Sequence, residues 1–558
     1  MSNLKSRFFE RFDSKGKLTG DFPRITSEES LSQFPIRDDG LKILLVHVPI
    51  REWSYPNIFP IGEGYIASVA RMDGHRIYVL DLNAERRVPV EDPTSLEHLI
   101  DKRLEEVLLD VQPDLIGFGG IITQFASIKR GVSLCKNILP HIPIVLGGGI
   151  ASSMPEFMLQ RLDIDIVILE EGEATFSELT YNLEEGLNLR GIKGVAFKTK
   201  EDGIVNNGLR VSIYKGKGGL DGVPWPLRSL WPIEDVYSLN PVGHLNWESK
   251  WTDGKGDGLK KSLSMIGSRG CPYAKSACDY CYASYLGEQY RLRSPEDVAA
   301  EMYYLFERYG VEYIHFLDDL FLTDWRWVLK FCDQLEIYSK RYQKVIEWGA
   351  TCRTNIVADD VRRAKKQGRK NFIVKAKEMG LRHIGFGVES ASPQVLKAID
   401  KSGQTIEKME IAIKEVQDVL GYADCSFMIG SPNETKETVA ETVAFCKRVG
   451  LQPEVFFYTT AYPGTKFWTL ASEKGLITKA VTGTVGSVTD GIIEQYLLKL
   501  GEQGSHVRTN FSETSDEEIY SLAQWAVQEL NPIETKFKRE PHSGDVLVNV
   551  TDAGRASV

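Results

Sequence analysis

The stretch SLSMIGSRGCPYAKSACDYCYAS (262–284) decides how the second half of the chain folds. Its opening residues form a short apolar run that ends at a glycine, the pattern of a buried strand. Three cysteines follow within eleven positions: Cys271, Cys278 and Cys281. Thiolates are soft ligands that select iron–sulfur clusters, zinc or Cu(I). A structural zinc site takes four protein ligands, and a four-iron cluster normally takes four cysteines. Three thiols on a cluster would leave one iron open to an exogenous ligand. Zinc completed by a distant His244 or His315, or an inert grouping of thiols, stays open at this point. Cys278 and Cys281 are two residues apart and suit one tight turn. The six-residue gap before Cys278 adds little closure entropy.

Working downstream, apolar runs at 262–266, 312–317, 345–351, 382–388, 423–429 and 454–459 read as strands. Amphipathic segments at 295–309, 324–340, 371–379, 405–419 and 434–449 read as helices between them. Strands alternating with helices predict a parallel sheet, here a partial (β/α)6 barrel. The cysteine loop then lies at the carboxyl end of the first strand, where active sites of such barrels collect.

Upstream, a second alternation begins at LKILLVHV (41–48) and runs through HRIYVLDLN, PDLIGFGG, IPIVLGGGIAS and DIDIVILEEGE. Helical segments separate these runs, which predicts a doubly wound parallel sheet. Ligands of such sheets sit at the carboxyl ends of the strands. Those ends, at 49–62, 117–124, 147–153 and 170–173, are rich in glycine and small polar residues.

The expected organisation is an N-terminal arm (1–40), the sheet domain (41–200), a linker (201–261), the partial barrel (262–480) and a small, mostly helical cap with a polar tail (481–558). The linker holds two flexible Gly/Lys/Asp stretches. Its Trp225 and Trp231, with the cap around 480–530, are candidate pocket linings. The basic run RRAKKQGRK (362–370) reads as a solvated face.

The 558 residues are 42% hydrophobic and 26% charged, with a net charge of −10. That balance argues against nucleic-acid or membrane-surface partners. No apolar run approaches the ~18 residues of a membrane span, and the N-terminus has no signal-peptide core. Cys135, Cys332, Cys352, Cys425 and Cys446 stand singly in apolar or helical contexts and read as buried hydrophobes. A reducing cytoplasm is the expected compartment.

The cysteine loop resembles the cluster loop of the radical S-adenosylmethionine (SAM) superfamily, usually Cys-x3-Cys-x2-Cys. Its first gap is longer here, while CDYC keeps the aromatic before the last cysteine. The resemblance implies a [4Fe-4S] cluster on Cys271, Cys278 and Cys281, with SAM chelating the free iron. SAM is then cleaved by one electron to a 5′-deoxyadenosyl radical that abstracts a substrate hydrogen. Tyr280 would pack near the adenine. GFGVES (385–390) resembles the fourth-strand end, where Glu389 and Ser390 would face SAM. FMIGSPNET (427–435) resembles the fifth-strand motif, with Gly430 and Pro432 shaping the turn and Glu434 opening the next helix. Asp318 and Asp319 of FLDDLF could accept from SAM's amine, and Arg353 of TCRTN could bind a carboxylate. YPGT (462–465) resembles a family turn.

The N-terminal segments PIGEGYIASVARMDGHRIYVLDLN, VLGGGIASSMPEFML and EEGEATFSELTYNLEEG resemble the cobalamin-binding domain, Rossmann/flavodoxin-like, that precedes one radical SAM subfamily. Gly117, Gly119, Gly120, Gly147, Gly148 and Gly149 would admit the nucleotide tail. Thr123, Gln124, Ser152, Glu171 and Gly172 would contact it. DGHRIY lacks the glycine of the Asp-x-His-x-x-Gly cobalt-ligand motif, and His75 reads as a surface residue at a helix end, so no protein histidine is expected on cobalt. The implied activity is an oxygen-sensitive, cobalamin-dependent radical SAM methyltransferase. A ring-forming or rearranging oxidoreductase on the same scaffold is the alternative, and a non-catalytic cobalamin-binding protein a third reading. The absence of a second cysteine cluster disfavours methylthiotransfer. Implied partners are a small-molecule or peptide substrate and an electron donor such as flavodoxin or ferredoxin.

Overall fold

The computed structural model describes residues 26–50, 56–85, 93–214, 219–239, 260–276, 278–282, 290–401, 403–500 and 507–531. Most of the expected arm, the Gly/Lys/Asp stretches of the linker and the polar tail lie outside the described residues. The chain forms two compact units. The first comprises Met1–Ala274, Ala283–Asp319 and Lys330–Trp348; the second comprises Lys275–Tyr282, Leu320–Leu329 and Gly349–Val558.

In the first unit, β1 (Lys42–His47), β2 (Arg76–Asp81), β3 (Leu115–Gly119), β4 (Ile144–Gly147) and β5 (Ile166–Ile168) form a parallel sheet in the order β2-β1-β3-β4-β5. Ile43, Leu44, Leu45 and Val46 are buried on both faces of β1, as a central parallel strand requires. Helix Ile61–Met72 packs with Glu173–Glu184, and Pro93–Val111 with Phe125–Ile138, as when connections cross both faces of a sheet. Two strands that the sequence pattern did not announce extend the edge antiparallel: β6 (Val195–Thr199) and β7 (Gly203–Asn206). They occupy the end of the expected sheet domain and the start of the expected linker.

The second sheet has six strands: β8 (Ser262–Met265), β11 (Tyr313–Phe316), β12 (Glu347–Cys352), β13 (Leu381–Glu389), β14 (Asp424–Ile429) and β15 (Phe457–Tyr458), in the order β15-β14-β13-β12-β11-β8. This is the open, partial barrel expected. A separate antiparallel pair, β9 (Ser268–Arg269) with β10 (Arg291–Leu292), brackets the cysteine-bearing segment. Helix Pro295–Tyr309 starts where Ser294 accepts from Asp297 N–H and stops at left-handed Gly310. An unexpected helix, Thr354–Gln367, carries much of the basic run and ends at Gly368 (φ +62°). Among the described residues four helices lie between Lys466 and Leu530: Lys466–Glu473 and Leu476–Thr482 close the stretch read as barrel, and Asp490–Lys499 and Asp516–Leu530 lie in the stretch read as cap.

Candidate functional site

The strand order reverses between β1 and β3, which makes their carboxyl ends the crevice where doubly wound sheets hold ligands. Several glycines there are spent on the fold. A Cβ on Gly117 would fall 2.9 Å from Leu45, on Gly119 2.9 Å from Glu63 Oε1, and on Gly148 (φ +85°) 2.5 Å from the Gly120 carbonyl. Gly149 lies in the first turn of helix Gly148–Ser153, and a Cβ on Gly172 would fall 3.0 Å from Ile66. Gly147 is different: a Cβ there would meet nothing within 4 Å. The Thr123 hydroxyl, on the turn after β3, is buried with no hydrogen-bond partner among the described residues. An open glycine and an orphaned buried hydroxyl on one sheet edge fit a bulky polar cofactor.

Three other residues expected to touch the cofactor tail serve the chain itself. Gln124 donates to the Val48 carbonyl (2.8 Å) and accepts from Ile121 N–H (2.9 Å), tying two strand ends together. Ser152 accepts from Glu170 N–H at 2.8 Å. Glu171 accepts from Arg269 (2.9 Å) and Arg291 (2.8 Å). Burial would raise the Glu171 carboxyl, but the two guanidiniums outweigh it and hold it at about 2.

A buried cluster at the same edge escaped sequence reading. His47 Nδ1 lies 2.9 Å from Glu63 Oε1, His47 pairs in register with Asp81, and Tyr237 donates to Asp81 at 2.7 Å. Burial raises both carboxyls, with His47 opposing. The signal was a histidine closing an otherwise apolar strand. His75 is also corrected: it is buried, not on the surface, and its Nδ1 accepts from Leu41 N–H at 3.3 Å because the helix end packs under the 37–41 segment. Trp225 lines a small cavity with Tyr65, Leu220, Val223 and Ile266, while Trp231 is buried against the sheet domain. Trp225 donates to Asp297 (3.2 Å) and Trp231 stands edge-on to Phe59 (5.3 Å), so both pin the linker.

Asp318, at the end of β11, accepts from Gly267 N–H at 3.0 Å and from the Ser268 hydroxyl. Burial pushes its carboxyl up to about 7, and the hydrogen bonds oppose this. Its oxygens therefore fasten the end of β8. Asp319 is exposed. Cys271 begins a turn in which its carbonyl accepts from Ala274 N–H at 2.9 Å.

In the second unit, Cys281 N–H donates to the Cys278 carbonyl at 2.9 Å, so these two thiols ride on one tight turn. Asp279 pins that turn: its N–H donates to the Ile399 carbonyl, and its carbonyl accepts from Phe467 N–H. Gly464 (φ +87°) of the YPGT turn leaves room for the Tyr282 ring, which a Cβ would meet at 2.2 Å. All three loop cysteines are outside disulfides and half-exposed, whereas Cys135, Cys332, Cys352 and Cys446 are buried. Burial pushes the Cys135 thiol up to about 12 and that of Cys425 well above its usual range. Among the described residues no three His, Cys, Asp or Glu side chains converge on a single ion. Three accessible thiols in one short segment suit a cluster, which offers each a separate iron.

Tyr280 donates to Glu389 Oε1 (2.9 Å) and accepts from Lys401 Nζ (2.8 Å), while Lys401 also reaches Glu389 Oε1 (2.6 Å). Glu389 has φ +65° and sits where the β13–β14 register slips. A non-glycine residue held in the left-handed region marks a site whose geometry is imposed by its surroundings. Lys401 was not expected; only its position in the IDKSG turn hinted at it. Ser390, by contrast, is engaged with Thr442 Oγ1 (3.3 Å) and Ser392 N–H (3.1 Å), which closes the turn after β13. Arg353 is buried at the N-cap of helix Thr354–Gln367. Gly430 (φ +89°) and Ser431 donate their N–H groups to Glu434 Oε2 at 2.5 and 3.0 Å, and Pro432 follows in the same turn. The helix itself begins later, at Lys436, capped by Thr435. Ser431 Oγ, Gln404 Oε1 and Thr354 Oγ1 are buried without partners among the described residues, which suits a polar ligand.

Residues 52–180 match the B12 binding domain family and residues 265–446 the radical SAM superfamily. An uncharacterized methyltransferase of Pyrococcus horikoshii is 30% identical over 78% of this chain and 84% of its own length. An anaerobic magnesium-protoporphyrin IX monomethyl ester cyclase of Cereibacter sphaeroides is 25% identical over 62% of this chain and 51% of its own. In fold, the chain is similar to the radical SAM methyltransferase TsrM of Kitasatospora setae, solved with cobalamin and a [4Fe-4S] cluster, with TM-score 0.61 and 19% identity over 88% of this chain and 91% of that one. No helix among the described residues is long and apolar enough to cross a membrane.

Proposed function

The chain belongs to the radical SAM enzymes that carry a B12 binding domain, and from that premise we propose that it is a cobalamin-dependent methyltransferase acting on an unactivated carbon of a small-molecule or peptide substrate. One observation carries the reading. A sheet of order 2-1-3-4-5 with an open carboxyl edge precedes β8, and β8 leads into three half-exposed cysteines that form no disulfide. An unactivated carbon has no lone pair with which to attack a methyl donor, so acid–base groups alone do not suffice. When bound, the cluster supplies an electron, SAM a hydrogen abstractor and a methyl group, and cobalamin the methyl carrier.

The residues of this chain position and hold. Cys271, Cys278 and Cys281 are the thiols for the cluster. Lys401 and Tyr280 both take Glu389 Oε1, which orients Oε2 as an acceptor for a ligand ammonium group. The Gly430–Ser431 turn, braced by Glu434, offers a close backbone surface and the Ser431 hydroxyl. Gly147 and Thr123 serve cobalamin. DGHRIY lacks the glycine of the cobalt-ligand motif, and His75 is buried with its Nδ1 accepting from Leu41 N–H, which supports cobalt without a protein histidine; the EPR spectrum of bound cob(II)alamin should lack axial imidazole nitrogen splitting. An external one-electron donor of the flavodoxin or ferredoxin type is required by the same chemistry.

The test is anaerobic reconstitution with iron, sulfide and hydroxocobalamin, followed by reaction with methyl-labelled SAM. Label in the product establishes methyl transfer. Product without label favours ring formation or rearrangement, the reading that the cyclase relative supports. Zinc in the loop, or no 5′-deoxyadenosine under reduction, overturns both.

A further inference from the structure

β9 and β10 close the base of the segment that carries the three cysteines. Arg269 ends one strand and Arg291 begins the other, paired in register. Both side chains turn to one carboxylate. Glu171 Oε1 accepts from Arg269 Nη1 at 2.9 Å and Oε2 from Arg291 Nη1 at 2.8 Å. Glu171 follows β5 of the seven-stranded sheet, so one side chain grips both ends of a segment about 120 residues further along.

The surroundings over-determine this grip. Glu170 is held at φ +55° with its N–H donated to Ser152 Oγ, which aims the next residue. Arg269 also reaches Glu173 (2.5 Å) and lies 5.0 Å over the Tyr65 ring. Arg293, two residues after Arg291, joins Asp297 (2.6 Å) and Glu301 (2.5 Å), and Arg228 from the linker meets the same Glu301 (2.6 Å). Arg228 and Glu301 are each 1% exposed. Four guanidiniums thus balance four carboxylates in a buried network. Such networks stabilise little by themselves, because desolvation offsets the attraction, but they fix one arrangement against its alternatives. Loss of one member strands its partners without water.

We propose that Glu171 is a positioning residue: its carboxylate clasps β9 and β10, the two strands that bracket the cysteine-bearing segment, to the cobalamin-type sheet and so holds that segment's two ends in register. The inference rests on the functional reading only for what the loop carries; the clasp itself is a property of the fold.

The experiment compares hydrogen–deuterium exchange in the full chain for wild type, Glu171→Gln and Glu171→Asp. Glutamine keeps the shape but replaces one accepting oxygen with an amide NH2, a donor that faces a guanidinium. Peptides covering 270–290 should exchange about 10-fold faster in Glu171→Gln while β1, β3 and β4 stay protected. Glu171→Asp, which keeps the charge, should restore part of the protection. After anaerobic reconstitution, the EPR signal of the dithionite-reduced protein should shift in the glutamine variant and return toward wild type in the aspartate variant. Unchanged exchange in Glu171→Gln overturns the proposal. If that variant loses protection throughout the sheet, Arg291→Lys takes its place with the same expectation, and unchanged exchange there overturns it equally. Wild type that binds no iron would sink the functional reading without touching the exchange result.

Discussion

Lys401 Nζ lies 2.6 Å from Glu389 Oε1, and the glutamate it holds has its backbone at φ +65°. The lysine therefore does two things. It neutralises a buried carboxylate, and it helps hold a conformation that costs about 1–3 kcal/mol. Lys401→Ala removes the cation and strands Glu389, so unfolding free energy should fall by about 3 kcal/mol or more. Denaturant titration of the full chain checks this. Reductive SAM cleavage should fall with it, and stability equal to wild type would show that the pair is not buried as described.

Gly387→Ala probes the same pair without touching either member. A Cβ at 387 would sit 2.5 Å from Glu389 Oε1 and 3.0 Å from Lys401 Nζ. Both atoms are ends of flexible side chains, so the fold can yield at a cost of about 1–3 kcal/mol. The carboxylate cannot stay where it is. SAM cleavage should drop by about 10-fold or more, since a displaced orienting group loses that much, while circular dichroism remains native. Cleavage at the wild-type rate would remove Glu389 from the site.

Cysteine substitutions should split into two classes. Cys271→Ser, Cys278→Ser and Cys281→Ser alter half-exposed thiols and should leave stability within about 1 kcal/mol of wild type while abolishing iron binding. Cys352→Ser should keep iron and lose stability, because that thiol is buried and burial pushes its pKa far up. Iron content after anaerobic reconstitution, set beside melting temperature, separates the classes.

Legibility from sequence followed the range of the determining contacts. Helix Pro295–Tyr309 was readable to the residue because Ser294, Pro295 and Gly310 are local signals. The cysteine turn was readable because Cys278 and Cys281 bond across it. Helix Thr354–Gln367 was missed because its dense Arg/Lys end obscures an apolar face whose Val357, Ala358 and Ala364 are nonetheless buried. β6, β7, β9 and β10 are two to five residues long and draw their pairing from partners rather than from pattern. The His47–Asp81 register and the Glu171 clasp depend on residues far apart in sequence. Glu171 and Ser152 read as ligand contacts, while their partners within the chain, Arg269, Arg291 and Glu170 N–H, were not legible, because a polar residue at a strand end looks the same whether its partner is a cofactor or an arginine.

The cobalamin edge can be tested by contrasting adjacent glycines. Gly147 has extended backbone (φ −126°) and open space at its Cβ position. Gly147→Leu should therefore melt like wild type, yet lose hydroxocobalamin binding by about 10-fold or more, since a side chain would fill that space. Gly148→Ala should instead destabilise by about 3 kcal/mol, through φ +85° and a clash with the Gly120 carbonyl. If Gly147→Leu binds hydroxocobalamin normally by absorbance titration, the ligand lies elsewhere on the sheet.

Glu434 sets a pH dependence whose sign follows from its surroundings. Burial raises its carboxyl to about 7, and the Gly430 and Ser431 N–H groups only partly oppose this. The folded state therefore holds a proton that the unfolded chain has released above about pH 4.3. Stability from this group is full below that pH and is lost as pH rises through about 7, by up to roughly 3 kcal/mol. Glu434→Gln keeps both hydrogen bonds through its amide oxygen and carries no titrating proton. Between pH 5 and pH 8, wild type should lose stability relative to Glu434→Gln, with the difference read from paired thermal melts. A constant difference across that range would mean that the Gly430–Ser431 turn is braced by an ionised carboxylate, with water or a bound cation reaching it in the folded protein.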